Sequence, residues 1–338
     1  MPNFLRVALC ALALTLPTAV ARAIEGAPPF EVLPAGRPVA ELTAEVGLAP
    51  EAGLGGGFLH GAGERSLRVK SYAMIPFGAR YGLWQTLEVW GVIPLVWGSS
   101  PQQYVNVRTG GAPETYRATL SGFDGSDVGA GLRWEPWSSD DGSLAVVLTA
   151  GVVIPLGTNV WQNSQFNFPD SFGTPDLASG DGAWKMLTAV EGIWDTEAAR
   201  VSVLAGYLLK FPQEATALEP PASTITVTLP APVVGWVRPA WKLSEDSWLT
   251  ARVDGFWARQ GTIGLAGLLT RTPEALPAVL DSYQNLLEGS WGIWAGIGMR
   301  QALTPSSAAS CEVCAPVFAR NLYRLWRVVA AFTWTWKP

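Results

Sequence analysis

The sequence predicts an all-β protein: a closed antiparallel transmembrane β-barrel of twelve strands, with short turns on the periplasmic side and long loops outside. Three observations carry this expectation. Extended segments recur with their charges on one parity and large apolar side chains on the other, and successive side chains of a strand point to opposite faces. Charged residues make up only 15% of the chain, against roughly 25% in ordinary soluble domains. Past the first 23 residues, no segment approaches the roughly 18 to 20 uninterrupted apolar residues of a membrane helix. If such a chain enters lipid, it has to satisfy its backbone within a closed sheet.

Residues 1–23 are expected to be a cleaved export signal. Arg6 precedes an apolar run from Val7 to Pro17, and the small-x-small triplet Ala21, Arg22, Ala23 supplies the cleavage site. The run is too short and wrongly flanked for a spanning helix. Cys10 falls in the discarded part, and Leu9 before it is too large for lipoprotein processing. Removal takes Arg6 and Arg22 and no acid, leaving 21 basic against 28 acidic residues, or −7. A nucleic-acid partner would need a concentrated basic surface, so none is expected. Residues 24–39 read as a periplasmic N-terminal segment, and 40–338 as the barrel, in the outer membrane of a Gram-negative envelope.

The strands follow in order. In VAELTAEVGL, Leu42, Ala44, Val46 and Leu48 oppose Glu41, Thr43, Glu45 and Gly47. In SLRVKSYAMIPFGARY, Leu67, Val69, Ala73, Ile75, Phe77 and Tyr81 oppose Arg68, Lys70, Tyr72 and Arg80. TLEVWGVIPLVW carries Glu88. SDVGAGLRWEPW sets Val128, Ala130, Leu132 and Trp134 against Asp127, Arg133 and Glu135. Lys185 shares a parity with Glu191, Arg200 with Lys210, and Arg252 with Asp254, while Arg238 and Arg300 fit the same scheme. The chain ends on AFTWTWKP, where Val328, Ala330, Phe332, Trp334 and Trp336 oppose Arg327, Ala331, Thr333 and Thr335.

Small residues lie among the charges, at Gly129, Gly131, Gly151, Gly206, Gly296 and Gly298. They suit a crowded lumen better than an open water-facing surface, which is usually densely polar. Tryptophans mark both strand ends. Trp84, Trp137, Trp194, Trp241 and Trp248 lie beside short polar turns; Trp97, Trp184, Trp257 and Trp291 lie where strands meet long loops. Two interfacial belts are what a membrane selects.

Short connections are expected near 82–85, 138–143, 194–198 and 242–246, and long loops at 49–65, 98–125, 157–182, 211–223 and 260–288. With both chain ends periplasmic the strand number is even. The segments that alternate visibly number eleven, so a short twelfth strand is expected within 303–322. Within the loop at 260–288, TPEALPAVLDSYQNLLE reads as a helix, with Thr272 as N-cap and Pro273 in the first position.

The residues expected to line the passage are Glu41, Glu45, Arg68, Lys70, Tyr72, Arg80, Glu88, Asp127, Arg133, Lys185, Glu191, Arg200, Arg238, Arg252, Asp254, Arg300 and Arg327. With Glu135 and Lys210, seven acids face eleven bases. A basic-leaning passage favours anionic or carboxylated solutes; the same groups paired with one another would instead plug it. Trp90, Trp236, Trp248, Phe256 and Trp294 share the inward parity and offer stacking surfaces.

Cys311 and Cys314 form Cys-x-x-Cys, which in an oxidising compartment reads as a disulfide closing a small loop. A redox site would need a helix N-terminus, and the following Pro316, Val317 and Phe318 give none. A metal site would need two further ligands, and the single histidine, His60, is far off in sequence. GLGGGF lacks the Lys-Ser/Thr of a phosphate loop. No Ser, Asp or Glu spacing marks a catalytic site, so no enzyme, metal or cofactor is expected.

PFGARYGLWQTLEVWGVIPL, followed by DVGAGLRWEPW and LAVVLTAGVVIPLGT, resembles the outer-membrane family named for the meta-cleavage pathway of phenol degradation. The likeness covers roughly residues 40–255 in order of elements. It implies a twelve-stranded barrel concerned with uptake or export of small hydrophobic or aromatic compounds. Two features depart from the pattern: Lys337 and Pro338 extend past the last aromatic, which barrel-assembly machinery reads, and CEVC precedes the final strand. The expected partners are outer-membrane lipid, a small-molecule solute and that assembly machinery. Three functions follow: a channel for small hydrophobic or aromatic compounds, anionic ones included; a non-conducting barrel that binds through loops such as QNSQFNFPDSFGTPDLASGDG; and a soluble periplasmic binding protein.

Overall fold

The computed structural model describes residues 35–48, 65–67, 71–106, 114–125, 127–156, 183–217, 223–228, 231–259, 262–264, 290–320 and 326–335. They form strands β1 (Pro38–Leu48), β2 (Arg65–Leu67), β3 (Ser71–Trp84), β4 (Leu87–Asn106), β5 (Glu114–Gly125), β6 (Val128–Ser138), β7 (Leu144–Ile154), β8 (Lys185–Asp195) and β9 (Ala199–Lys210). The remainder are β10 (Gln213–Ala217), β11 (Ser223–Thr228), β12 (Pro232–Lys242), β13 (Ser247–Ala258), β14 (Thr262–Gly264), β15 (Ser290–Thr304), β16 (Ser307–Arg320) and β17 (Trp326–Thr335). Twelve of them close into one antiparallel ring, in the order β1, β3, β4, β6, β7, β8, β9, β12, β13, β15, β16, β17 and back to β1. The seam between first and last strands is continuous, from Val39 opposite Thr335 to Leu48 opposite Trp326. No ring strand is left with an unpaired edge, which is the condition for backbone to lie in hydrocarbon.

The turns at 85–86, 139–143, 196–198, 243–246 and 305–306 all lie at one end of the ring, together with the start of β1 and the end of β17. The turn at 139–143 shows why these residues suffice. Asp141 accepts from Ser139 Oγ (2.6 Å), Ser143 Oγ (2.8 Å) and the Ser143 amide (3.0 Å), and Gly142 takes φ 70°, a conformation costly for a residue with a Cβ.

Three local expectations change. Residues 303–322 hold a full fourteen-residue strand, β16, with Cys311 and Cys314 inside it. The segment at 98–125 is not an open loop: β4 runs on to Asn106 and pairs with β5 from Leu95 onwards. The connections on either side of β12 and β13 carry a separate three-stranded sheet, β10, β11 and β14. The helix expected at 272–288 and the export signal at 1–23 lie outside the described residues.

The wall has two unlike faces. Along β8, buried and exposed residues alternate strictly from Lys185 to Trp194. Its outward side chains are Met186, Thr188, Val190 and Trp194, and other strands of the ring add Leu132, Val152, Val203, Val253 and Ile297, all well exposed. Apolar surface all round a molecule far exceeds the roughly 300–600 Å² of a soluble protein's largest patch. Trp184 and Trp194 stand at opposite ends of β8, both about half exposed. Ten residues at ~3.3 Å each, tilted by roughly 40°, place them ~25 Å apart along the barrel axis, the height of a membrane barrel's apolar band. Trp84, Trp241 and Trp334 extend the turn-side belt, and Trp257 and Trp326 the loop-side one.

The inner face is packed. Trp90 is 1% exposed, and its ring lies on bare backbone at Gly129, Gly131 and Gly151. A Cβ on Gly151 would stand 2.6 Å from Trp90 Cζ2, and one on Gly131 2.9 Å. Val92, Val147, Val153, Leu187, Leu204, Leu208, Val234 and Trp236 are buried on the same face.

Candidate functional site

Two ion-pair networks cross the interior. In the first, Glu88 Oε1 accepts from Arg80 Nη1 (2.8 Å) and from Arg133 Nη1 (2.9 Å), and Arg133 Nη2 donates to Glu191 Oε2 (2.9 Å). Ser202 Oγ donates to Glu191 Oε1 (2.5 Å), and Trp236 Nε1 donates to Ser202 Oγ (3.2 Å). The chain passes from β3 through β4, β6, β8 and β9 to β12. Only a side chain with a forked set of donors can join two carboxylates as Arg133 does, over the intervening β7. Nearer the long loops, Lys185 Nζ donates to Asp127 Oδ2 (2.6 Å). The side chains of these four ion pairs are at most 2% exposed. Charges so dry are held only when paired and hydrogen-bonded.

The second network spans β12, β13, β16 and β17. Arg252 Nε donates to Asp254 Oδ2 (2.8 Å), its Nη2 reaches the same oxygen, and its Nη1 donates to Glu312 Oε2 (3.0 Å). Thr250 Oγ1 donates to Glu312 Oε1 (3.0 Å), and Arg238 Nη2 to Asp254 Oδ1 (3.4 Å). Arg327 Nη2 stands 3.7 Å from Asp254 Oδ2, an ion pair beyond hydrogen-bond length. Two guanidinium groups of this network lie on indoles: Arg238 over Trp236 at 4.0 Å and Arg327 over Trp294 at 4.8 Å. Trp236 thus touches both networks. Gly296 makes the crowding possible, since a Cβ there would meet Cys314 Sγ at 2.6 Å and Arg252 Cγ at 3.0 Å.

Of the residues expected to line the interior, Arg80, Glu88, Asp127, Arg133, Lys185, Glu191, Arg252 and Arg327 are buried on the inner face. Arg200, Arg238, Asp254 and Arg300 are half-buried there, and Arg200 pairs with Asp195. Glu41 and Glu45 lie in β1 and Tyr72 in β3, with their side chains undescribed; Arg68 and Lys70 lie outside the described residues.

Among the described residues, two inward acids escape the sequence reading, Asp195 and Glu312, and they narrow the basic excess of the interior. Asp195 sits at the last residue of β8, inside a stretch read as turn. Glu312 stands between the cysteines, and reading CEVC as an insertion hides the alternation of Ala308, Ser310, Glu312 and Cys314 against Ala309, Cys311 and Val313. The inward leucines and valines are missed for another reason: the strands that carry them have apolar residues on both parities.

The disulfide is a correction. Cys311 is exposed on the outer face, Cys314 is fully buried on the inner one, and both are free thiols. Residues three apart in a strand face opposite ways and are separated by ~10 Å, whereas a disulfide needs Cα atoms within about 7 Å.

No protein-family model matches the chain, and no curated protein does. Among solved structures it is similar to the COG4313 outer membrane channel from Pseudomonas putida F1, with a TM-score of 0.60 at 9% identity over 92% of this chain and 99% of that one. It is also similar to the Ralstonia pickettii toluene transporter TbuX, with a TM-score of 0.42 at 9% identity over 90% of each chain. At such identity the likeness to the first is one of fold: a closed, outer-membrane-type barrel.

Proposed function

We propose that the protein sits in a bacterial outer membrane and passes small hydrophobic or aromatic compounds, anionic ones included, as the resemblance to the phenol-degradation barrel family also implies. The observation that carries this reading is the mixed inner face. Leu187, Leu204, Leu208, Val147 and Val153 are buried there beside Trp90, Trp236 and Trp294 and the two networks. A water-filled passage for hydrated ions has no use for so apolar an interior, whereas apolar side chains with a few placed polar groups are what small organic molecules bind among. The basic members of the networks favour anions among those molecules.

The full burial of Arg133, Glu88, Lys185 and Asp127 favours a second reading, a barrel that conducts nothing and acts through its external loops. Purified protein in liposomes separates the two. The proposal expects flux of a small aromatic solute well above that of protein-free vesicles, with weak ion conductance in planar bilayers. Absence of both kinds of transport overturns it and leaves the loop reading, for which loop deletion abolishes binding and lumen substitutions do not.

A further inference from the structure

Resting on the reading of the barrel as a solute passage, we propose that Arg327 and Trp294 form a binding site for the carboxylate of a small monoanionic solute. Both side chains face the interior and each is 4% exposed. Three of their N–H groups are buried with no hydrogen-bond partner among the described residues: Arg327 Nε, Arg327 Nη2 and Trp294 Nε1. A buried donor left unsatisfied is costly, and more so when charged. Three such donors on two touching side chains are the complement of one acceptor group with two oxygens.

The geometry narrows the acceptor. Nε and Nη2 form one edge of a guanidinium, and Arg252 uses that same edge on Asp254. A planar carboxylate matches it with two parallel hydrogen bonds. The charge count agrees. Among the described side chains, Arg238, Arg252 and Arg327 face Asp254 and Glu312, three positive charges against two negative. Asp254 already accepts from Arg252 and Arg238, and Glu312 from Arg252 and Thr250. The excess therefore falls on Arg327, whose nearest carboxylate oxygen in the network is 3.7 Å away. A single added negative charge balances it.

Calorimetric titration of the full barrel in detergent, with sodium benzoate as probe, tests the site. Wild type is expected to bind benzoate saturably. Arg327→Gln weakens it ~10-fold or more, equivalent to the loss of about 1.4 kcal/mol, and weakens uncharged benzyl alcohol, which brings no charge to pair, by much less. Trp294→Phe keeps an aromatic ring under Arg327 while removing the N–H together with the fused pyrrole ring, and weakens benzoate several-fold; it also serves if Arg327→Gln fails to fold. Benzoate affinity unchanged in Trp294→Phe and in whichever Arg327 variant folds overturns the proposal. So does the absence of saturable binding to wild type, or displacement by equimolar chloride, which would make this an inorganic-anion site. Flux of a neutral aromatic solute through liposomes is measured in parallel. Flux without benzoate binding removes the site alone, and benzoate binding without flux removes only the passage.

Discussion

Glu88 holds two arginines through one carboxylate oxygen and is the keystone of the first network. Glu88→Gln is expected to destabilise the barrel by about 3–5 kcal/mol, the usual cost of stranding a buried charge, read from urea unfolding in lipid vesicles. Adding Arg133→Gln is expected to recover part of that loss, because neighbours in one network are not additive; a purely additive double variant contradicts the pairing. Outside the membrane-spanning part, the hydroxyl of Ser139, then the amide and hydroxyl of Ser143, draw Asp141 down to a pKa of about 2. A depressed carboxyl contributes stability that is fully present above its unfolded pKa of about 3.9 and is lost as pH falls through about 2. A carboxyl carbon titration by NMR should show a midpoint near that value in the wild type and a higher one in Ser139→Ala. At this scale parity made most inward charges readable, since a charge on the lipid face would be far costlier than a paired one inside. Glu312 was unreadable because nothing in CEVC alone distinguishes a strand from a loop.

Elements pack inward through small residues, and Trp90 on the glycines of β6 and β7 is the clearest case. A Cβ on Gly131 would meet Ala150 O at 2.2 Å and Gly151 Cα at 2.6 Å. Those are backbone atoms of the neighbouring strand, which cannot yield without opening the β6–β7 pair. Gly131→Ala is expected to cost ~1–3 kcal/mol, as overpacking does, whereas Gly192→Ala, with open space around it, is expected to be neutral or slightly stabilising. Heat-dependent gel mobility of the two variants checks this, and equal loss in both contradicts it. Strand ends were legible from tryptophans and polar turns. The β4–β5 hairpin and the small β10–β11–β14 sheet were not, because beyond the membrane a strand needs no lipid-facing parity and its sequence loses the mark that identified the others.

On the scale of the whole molecule, one physical arrangement accounts for the rest: a ring of twelve strands with hydrocarbon outside and paired charges, leucines and indoles inside. The even count follows from both ends of the ring meeting at the short-turn side, and the strand expected within 303–322 is β16, which carries the two cysteines on opposite faces. A single spin-label scan along residues 186–190 of β8, in lipid vesicles and in a background with Cys311 and Cys314 replaced by serine, tests the arrangement most directly. Labels at Met186, Thr188 and Val190 should collide freely with dissolved oxygen and hardly at all with a water-soluble nickel complex. Labels at Leu187 and Ala189 should be immobilised and shielded from both. Collision with the nickel complex at 186, 188 and 190, or loss of the two-residue alternation, would contradict it.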